Sequence, residues 1–255
     1  MRSLFIPYGV DPDFDDLPPD CRVVGINMSN PPWKDRVPAG VKLITTADVP
    51  RSRMEKVTPT VEHAWGLIMA AHRRLVAAAS GFGDRNDWMA PYQLSGRNML
   101  IIGYGRIGHG VARVAEAFGM RVTWVETDDG VGFLCRALSW ADVIFVSCTL
   151  NDSSRGLLRG RLGVVKADAI LVSIAPWEIV DTIEVVMQLK AGMLRAAAFD
   201  DWPANYLDSA AVQFLRSLGR LTITPHIAGS TEDARAETRD AVCEEMDKWL
   251  LENPA

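Results

Sequence analysis

The sequence lacks several features that would point to whole classes of protein. Its four cysteines are scattered, with no CxxC spacing. Neither a disulfide framework nor a metal site is therefore expected, and a reducing, cytoplasmic location is predicted. The short apolar run at the N-terminus is followed by acidic residues and does not predict a signal peptide. The most apolar helical stretch, AWGLIMAAHRRLVAAA, is interrupted by three polar residues, so no membrane span is expected.

Excess positive charge is also missing. Lys and Arg number 27 against 32 Asp and Glu, for a net charge of −5. No overall field therefore favours nucleic acid or an anionic membrane. The sequence does have enough apolar material for a full core, because 48% of its 255 residues are hydrophobic. The length allows one large domain or, more naturally, one domain of about 150 residues with a smaller lobe.

The first 57 residues are rich in Pro and Asp. The short apolar runs LFIPY, RVVGI and VKLITT predict strands separated by turns. A helix then begins at a clear signal: Thr58 is a suitable N-cap, Pro59 suits the first helical position, and Glu62 lies near the positive end of the helix dipole. The glycines at 81 and 83 are expected to end this helical region.

From Asn98 onward, apolar strands alternate with amphipathic helices. The strand candidates MLIIG, RVTWVE, DVIFVS, AILVSI, AAAF and LTIT lack polar alternation, which is typical of parallel strands buried on both faces. This order predicts an α/β fold with a doubly wound parallel sheet. Helices are expected around 106–118, 181–190 and 208–217, with a long surface helix from Ser230 to about Glu252.

A glycine motif opens the first of these helices. Gly103, Gly105 and Gly108 form GxGxxG after an apolar strand, and the next strand ends in Glu126. The three glycines would allow a tight turn, the approach of a pyrophosphate and close helix–strand packing. The helix N-terminus would bind the phosphates, and Glu126 would accept hydrogen bonds from the adenosine ribose. The motif predicts a dinucleotide site that prefers NAD to NADP.

Five motifs in fixed order resemble the D-isomer-specific 2-hydroxyacid dehydrogenases. They are TVEHAWGLIMAAHRR, GRNMLIIGYGRIGHGVARVAEAFGMRV, DVIFVSCTLNDSSRGLL, AILVSIAPWEIVDTIEVVMQLKAGMLRAAAFDDWP and LTITPHIAGSTEDAR, which together cover roughly residues 58 to 240. The resemblance implies a Rossmann domain at 58–229 and a reduced N-terminal α/β lobe at 1–57 that the helix at 230–255 completes. It also implies a small-molecule substrate and a homodimer formed through the helix after Thr58 and the segment through Trp88.

The resemblance also implies particular residue roles. His226, in TPHIAG, corresponds to the family's general acid, and Asp200 to the residue that holds the nicotinamide carboxamide. The sequence departs from the family pattern at two other catalytic positions. Pro176 replaces the arginine that binds the substrate, and Asn205 replaces the glutamate that supports the histidine. The full set of expected cofactor contacts is Gly103, Gly105, Arg106, Ile107, Gly108, Glu126, Thr149, Ser154, Ile174, Ala175, Asp200, His226 and Gly229.

Other chemically capable residues receive structural interpretations. His63 is expected to pack at a helix start, as its family counterpart implies, and His72 and His109 are expected to be solvated on helix surfaces. Asp181 is expected to be a helix N-cap. Trp124 is expected in the core.

Three functions remain open at this stage. The first is an NAD-dependent oxidoreductase acting on a 2-oxo or 2-hydroxy acid, with His226 as acid–base and the missing arginine replaced by another basic residue such as Arg155. The second is an NAD-binding protein without dehydrogenase turnover. The third is an enzyme of another class that retains bound NAD and uses a pocket reshaped by Trp177 and Glu178. Loss of activity in His226→Ala with intact NADH binding would favour the first.

Overall fold

The chain contains two compact units. The computed structural model describes residues 3–7, 10–28, 31–54, 57–81, 91–126 and 129–254. One unit consists of Met1–Pro59 with Gly229–Ala255, and the other of Thr60–Ala228. No helix among these described residues is long and apolar enough to cross a membrane.

The smaller unit is built on a parallel three-stranded sheet. Its long helix, α8 (Glu232–Glu252), packs on the central strand so closely that a Cβ atom at Gly25 would overlap the side chains of Val242 and Met246. Arg53 forms an ion pair with Glu237 at 2.6 Å, which joins a short helix, α1, to α8. The elements are β1 (Ser3–Ile6), β2 (Val23–Ile26), β3 (Lys42–Ile44), α1 (Arg51–Met54) and α8 (Glu232–Glu252), with strand order β1-β2-β3. The predicted strands and long helix are present here.

The larger unit contains a six-stranded sheet in which every neighbouring pair is parallel. The strand order is β5-β4-β6-β7-β8-β9, so successive connections leave β4 in opposite directions. This is a doubly wound sheet, as the sequence predicts. The strands are β4 (Asn98–Ile102), β5 (Arg121–Val125), β6 (Val143–Val146), β7 (Ile170–Ser173), β8 (Ala196–Phe199) and β9 (Leu221–Ile223).

Helices cover both faces of this sheet. Alternate strand residues point to opposite sides, so Ile101 packs with one helical layer and Ile102 with the other. One layer consists of α2 (Pro59–Arg73) and α4 (Arg106–Ala117). The other consists of α5 (Val131–Trp140), α6 (Thr182–Ala191) and α7 (Ala210–Ser217). Burial on both faces explains why the strands are apolar throughout.

Two features of the larger unit were not predicted. Helix α5 was missed, and β5 forms one edge of the sheet within the described residues. The common doubly wound order has a further strand beside this position. Here only residues 126–130 separate β5 from α5, which is too short for a strand with its connections.

The first helical region is also interrupted earlier than expected. Arg74 adopts φ 51° and ends α2, and α3 (Leu75–Ala79) follows it. The expected stop at residues 81–83 lies partly outside the described residues, as does the segment 84–88 that was assigned to a dimer interface. Asp181 caps α6 by accepting hydrogen bonds from two backbone N–H groups, as predicted.

Two burial predictions were wrong. His72 is only 2% exposed, and its ring lies 4.8 Å from that of Tyr92. Burial lowers the pKa of His72. Trp124 is 47% exposed rather than in the core, because β5 is an edge strand and its indole faces outward onto Tyr104. His109 is exposed as predicted, but its ring also contacts Tyr104.

Candidate functional site

All but one of the sequence-predicted site residues lie in the larger unit, in the segments at the carboxyl ends of its strands. The glycine motif follows β4, and the segments after β6, β7, β8 and β9 lie along the same edge of the sheet. The connections from strand to strand switch direction across the sheet between β4 and β6, and ligands bind at such switch points in open α/β sheets.

The three motif glycines meet three different steric demands. Gly103 has φ 91°, and a Cβ atom there would lie 2.5 Å from the backbone nitrogen of Cys148. A Cβ atom at Gly108 would lie 2.4 Å from the Gly103 carbonyl oxygen. Gly105 instead faces open space, with nothing within 4 Å of a Cβ position. The loop is therefore closed by two glycines and left open to a ligand at the third.

The thiol beside this loop is a packing group. Burial raises the pKa of Cys148 to about 11, so the group stays protonated at neutral pH. The side chain next to it, Ser147, donates a hydrogen bond from Oγ to the Gly103 carbonyl at 2.9 Å. The loop after β6 thus supports the glycine turn.

The end of β5 is joined to the glycine loop. Glu126 accepts a hydrogen bond from the Tyr104 N–H at 3.0 Å through Oε1, and its own N–H donates to Asp129 at 2.8 Å. The Tyr104 ring stacks on Trp124 at 4.3 Å and lies 3.9 Å from the ring of His109. Glu126 is exposed, so its second oxygen can accept from a ribose hydroxyl.

The hydroxyl of Ser154, one of the expected cofactor contacts, is engaged within the protein. Ser154 is fully buried, and its hydroxyl donates to the Thr149 carbonyl at 2.7 Å while accepting from the Asn151 N–H at 2.8 Å. These bonds shape the loop after β6 and leave the hydroxyl inaccessible to a cofactor. Thr149 itself is exposed at this edge.

The segment after β7 contains the first catalytic departure. Ile174 and the buried Ala175 lead into Pro176, which precedes a short 3-10 helix, Trp177–Ile179. The Trp177 N–H donates to Asp201 at 3.2 Å, so this segment is tied to the residue after Asp200. Proline has no donor, and no bidentate grip on a carboxylate is available at position 176.

A guanidinium does reach this segment. Arg155 Nη1 lies 3.8 Å from Glu178 Oε1, and the backbone N–H of the next residue, Gly156, donates to the Glu178 carbonyl at 2.8 Å. Arg155 is well exposed. Its charge is partly balanced by Glu178, so it is not a simple replacement for the arginine missing at position 176.

Asp200 organises the loop after β9. It is only 2% exposed, and its backbone carbonyl accepts the His226 N–H at 2.6 Å. Its carboxylate accepts the N–H groups of Ile227 and Ala228 at 3.0 and 2.8 Å and the Thr224 hydroxyl at 2.5 Å. The loop therefore folds around one buried carboxylate.

His226 is presented by this loop in an uncommon backbone conformation. Its φ is 54°, and the residue is exposed. Asn205, which corresponds to the family glutamate, is exposed in the short helix Ala204–Tyr206. Within the described part of the chain, no hydrogen bond joins Asn205 to the His226 imidazole. Gly229 belongs to the smaller unit.

His63 is a site residue to which the sequence analysis gave little weight. Its Nε2 atom lies 3.1 Å from the Thr224 hydroxyl oxygen and 3.3 Å from Asp200 Oδ1. The helix α2 that carries His63 is distant in sequence from both residues. Only the folded sheet brings them together, so periodicity alone could not reveal the contact.

The arrangement fits a dinucleotide. A glycine turn opens toward solvent at Gly105, the N-terminus of α4 follows it, and Glu126 ends the next strand. Arg106, Ile107 and Gly108 lie in the first turn of α4, and the N-terminus of a helix favours an anion such as a phosphate. Fold and site together define a dinucleotide-binding protein of the Rossmann class.

Comparisons with known proteins narrow the class to a family. Residues 65–228 match the NAD binding domain of the D-isomer specific 2-hydroxyacid dehydrogenases. The chain belongs to this family, and its cofactor is NAD.

Individual relatives agree with the family match. The chain is 28% identical over 262 residues to a glyoxylate reductase of Thermococcus kodakarensis, covering 93% of this chain and 76% of that protein. It is 26% identical over 249 residues to a glycerate dehydrogenase of Methylorubrum extorquens, covering 92% and 78%. A solved D-isomer specific 2-hydroxyacid dehydrogenase from Polaromonas sp. has a TM-score of 0.79 at 20% identity, covering 98% of this chain and 83% of that one.

Proposed function

We propose that this protein transfers a hydride between NAD and a small 2-oxo or 2-hydroxy acid, with His226 as the acid–base residue. The observation that carries the proposal is the loop 224–228. Four of its groups bond to Asp200, and it presents an exposed imidazole at the same sheet edge as the glycine loop. An accessible imidazole on a backbone held in place is suited to proton transfer to a carbonyl oxygen.

Each remaining residue then has a specific task. NAD supplies the hydride chemistry when it is bound. The N–H groups at the start of α4 bind the pyrophosphate, and Glu126 accepts from the ribose hydroxyls and repels a 2′-phosphate. His226 donates a proton to the substrate oxygen in reduction and takes it back in oxidation. The proposed preference is therefore NAD over NADP.

The substrate is held differently from the family pattern. Pro176 offers no donor, so we propose that the substrate carboxylate is bound away from position 176. The relatives named as glyoxylate reductase and glycerate dehydrogenase support a small 2-oxo acid. The smaller unit, corresponding to the expected 1–57 with 230–255, is proposed as the reduced substrate lobe.

A second function is favoured by the same departures. Without an arginine at 176 or a carboxylate at 205, the protein keeps a complete dinucleotide site beside an incomplete catalytic set. An NAD-binding protein without turnover, serving as a sensor or scaffold, would need only the dinucleotide site.

One assay separates the two functions. NADH oxidation is followed spectrophotometrically against a panel of 2-oxo acids that includes glyoxylate, pyruvate and phosphorylated analogues. His226→Ala is the test variant, and NADH binding is measured calorimetrically in the same samples. We expect turnover in the wild type, a loss of about a hundredfold or more in His226→Ala, and unchanged NADH affinity.

The contrary results are distinct. Turnover that survives in His226→Ala would remove this residue from the mechanism. No wild-type turnover across the panel, with NADH bound normally, would favour the functions without dehydrogenase turnover instead.

A further inference from the structure

A hydrogen-bonded chain runs from α2 to the loop that carries His226. His63 Nε2 lies 3.1 Å from the Thr224 hydroxyl oxygen, and that oxygen lies 2.5 Å from Asp200 Oδ1. His63 Nε2 also lies 3.3 Å from the same Asp200 oxygen. All of these residues belong to the unit Thr60–Ala228. His63 therefore contacts the carboxylate on which the loop is folded.

The neighbours of His63 determine which ring nitrogen carries the proton. The Thr224 hydroxyl has one hydrogen and donates it to Asp200, because an ionised carboxylate only accepts. The Thr224 oxygen and Asp200 Oδ1 are then both acceptors toward the ring. An unprotonated Nε2 would direct its lone pair at both, so His63 donates from Nε2–H.

The loop at the other end of this chain depends on the carboxylate. His226 is held at φ 54°, a region that residues other than glycine rarely adopt. The Ile227 and Ala228 N–H groups donate to the Asp200 carboxylate, and the His226 N–H donates to the Asp200 backbone carbonyl. Together these bonds oppose relaxation to an ordinary conformation. A buried carboxylate that loses one donor is less well satisfied, which weakens the connected bonds as well.

We propose that His63 is a positioning residue: its Nε2–H donates to the Thr224–Asp200 pair and thereby fixes the backbone and the imidazole of His226. The catalytic benefit rests on the proposed role of His226 in turnover. The positioning itself is a property of the cofactor-free protein and is measured separately.

Paired variants test the donor rather than the volume of the ring. His63→Gln keeps an N–H donor close to the position of Nε2, and His63→Leu removes it. Thr224→Val removes the hydroxyl in the middle of the hydrogen-bonded series from His63 to Asp200. Hydrogen–deuterium exchange is measured by mass spectrometry for the peptide covering 224–228, with the peptide covering β4 (Asn98–Ile102) as the internal reference.

We expect exchange at 224–228 to become about tenfold faster in His63→Leu and to change by less than about twofold in His63→Gln. Exchange in β4 stays constant. His63→Leu combined with Thr224→Val exchanges no faster than the faster single variant, because both changes break one chain. In the NADH assay, we expect kcat to fall in His63→Leu by a larger factor than the KM for the 2-oxo acid changes. His63→Gln should retain most of the wild-type kcat.

The proposal would be overturned if the 224–228 peptide exchanged in His63→Leu at the same rate as in the wild type. It would also be overturned if exchange became equally faster in His63→Leu and His63→Gln, since the donor would then be irrelevant. If His63→Leu does not fold, exchange in His63→Gln as fast as in Thr224→Val would overturn the proposal, because the retained donor would then not protect the loop. A wild type without turnover would refute the proposed function while the exchange result still judges the positioning role.

Discussion

At the scale of single residues, the glycine loop separates the requirements of folding from those of binding. Gly103 combines φ 91° with a backbone contact that leaves no room for Cβ, whereas Gly105 has φ −77° and open space. Alanine is therefore compatible with the backbone at one position and not at the other. The two sites form a matched pair within one motif.

We expect Gly103→Ala to lower the free energy of unfolding by about 3 kcal/mol or more, from the backbone overlap and the left-handed φ. Gly105→Ala should change it by less than about 0.5 kcal/mol. Its added methyl should still weaken NADH binding about tenfold by occupying the space left for the pyrophosphate. Urea unfolding and calorimetry measure the two effects. Equal loss of stability in both variants would contradict this division.

The sequence could predict which residues form this loop but not all of their roles. GxGxxG and Glu126 are local patterns, and the structure places them together at one sheet edge. The bonds of Asp200 are different, because they join the ends of β8 and β9 and reach α2. Such contacts have no sequence period. For the same reason the buried Ser154 could not be distinguished from an exposed cofactor ligand.

At the scale of secondary-structure elements, α2 contains a buried ionisable group. His72 packs on Tyr92, and burial is the main cause that lowers the pKa of the ring below its usual 6.5. The folded protein then binds a proton at this ring less readily than the unfolded chain. The stability that the neutral ring provides is present above pH 6.5 and is lost as the pH falls below it.

His72→Phe should therefore flatten the pH dependence of unfolding between pH 7.5 and 5.5. The wild type is expected to lose up to about 1.4 kcal/mol per pH unit through this group below pH 6.5, and the variant to lack that component. Urea unfolding at several pH values measures it, and His226→Ala, which retains His72, is the control. The same slope in wild type and His72→Phe would show that the ring is not the cause.

The elements themselves were mostly predictable. Apolar runs identified every strand of the larger sheet, because parallel strands buried on both faces have no polar positions. The sequence of α5, VGFLCRALSW, is almost entirely apolar and lacks the polar face that indicates a helix. His72 was misplaced because its neighbours Arg73 and Arg74 suggest a solvated turn. The ring is instead covered by Tyr92, which follows much later in the chain.

At the scale of the whole molecule, self-association is the main expectation. The family resemblance implies a homodimer through the region after Thr58, part of which lies outside the described residues. Within the described part, Leu75 and Val76 of α3 are apolar and about half exposed, at 48% and 53%. We assign this pair to the expected interface because α3 directly follows the helix after Thr58.

We therefore expect a solution mass of about twice the 28.0 kDa of one chain, measured by light scattering. Val76→Glu should shift the protein toward the monomer, since a charge would be buried without a partner. Leu251→Glu is the control, because Leu251 is also apolar and is 82% exposed in α8. A monomeric wild type, or equal dissociation in both variants, would count against an interface at α3.

The edge position of β5 also exposes a tryptophan whose fluorescence should report NADH binding. Trp124 is exposed, stacked on Tyr104 and two residues from the proposed ribose ligand Glu126. Indole emission overlaps the absorption band of reduced nicotinamide, so a bound dinucleotide quenches a nearby tryptophan by energy transfer. The chain has eight tryptophans, and the difference between wild type and Trp124→Phe isolates this one. Cofactor occupancy thus becomes a fluorescence signal that needs no label.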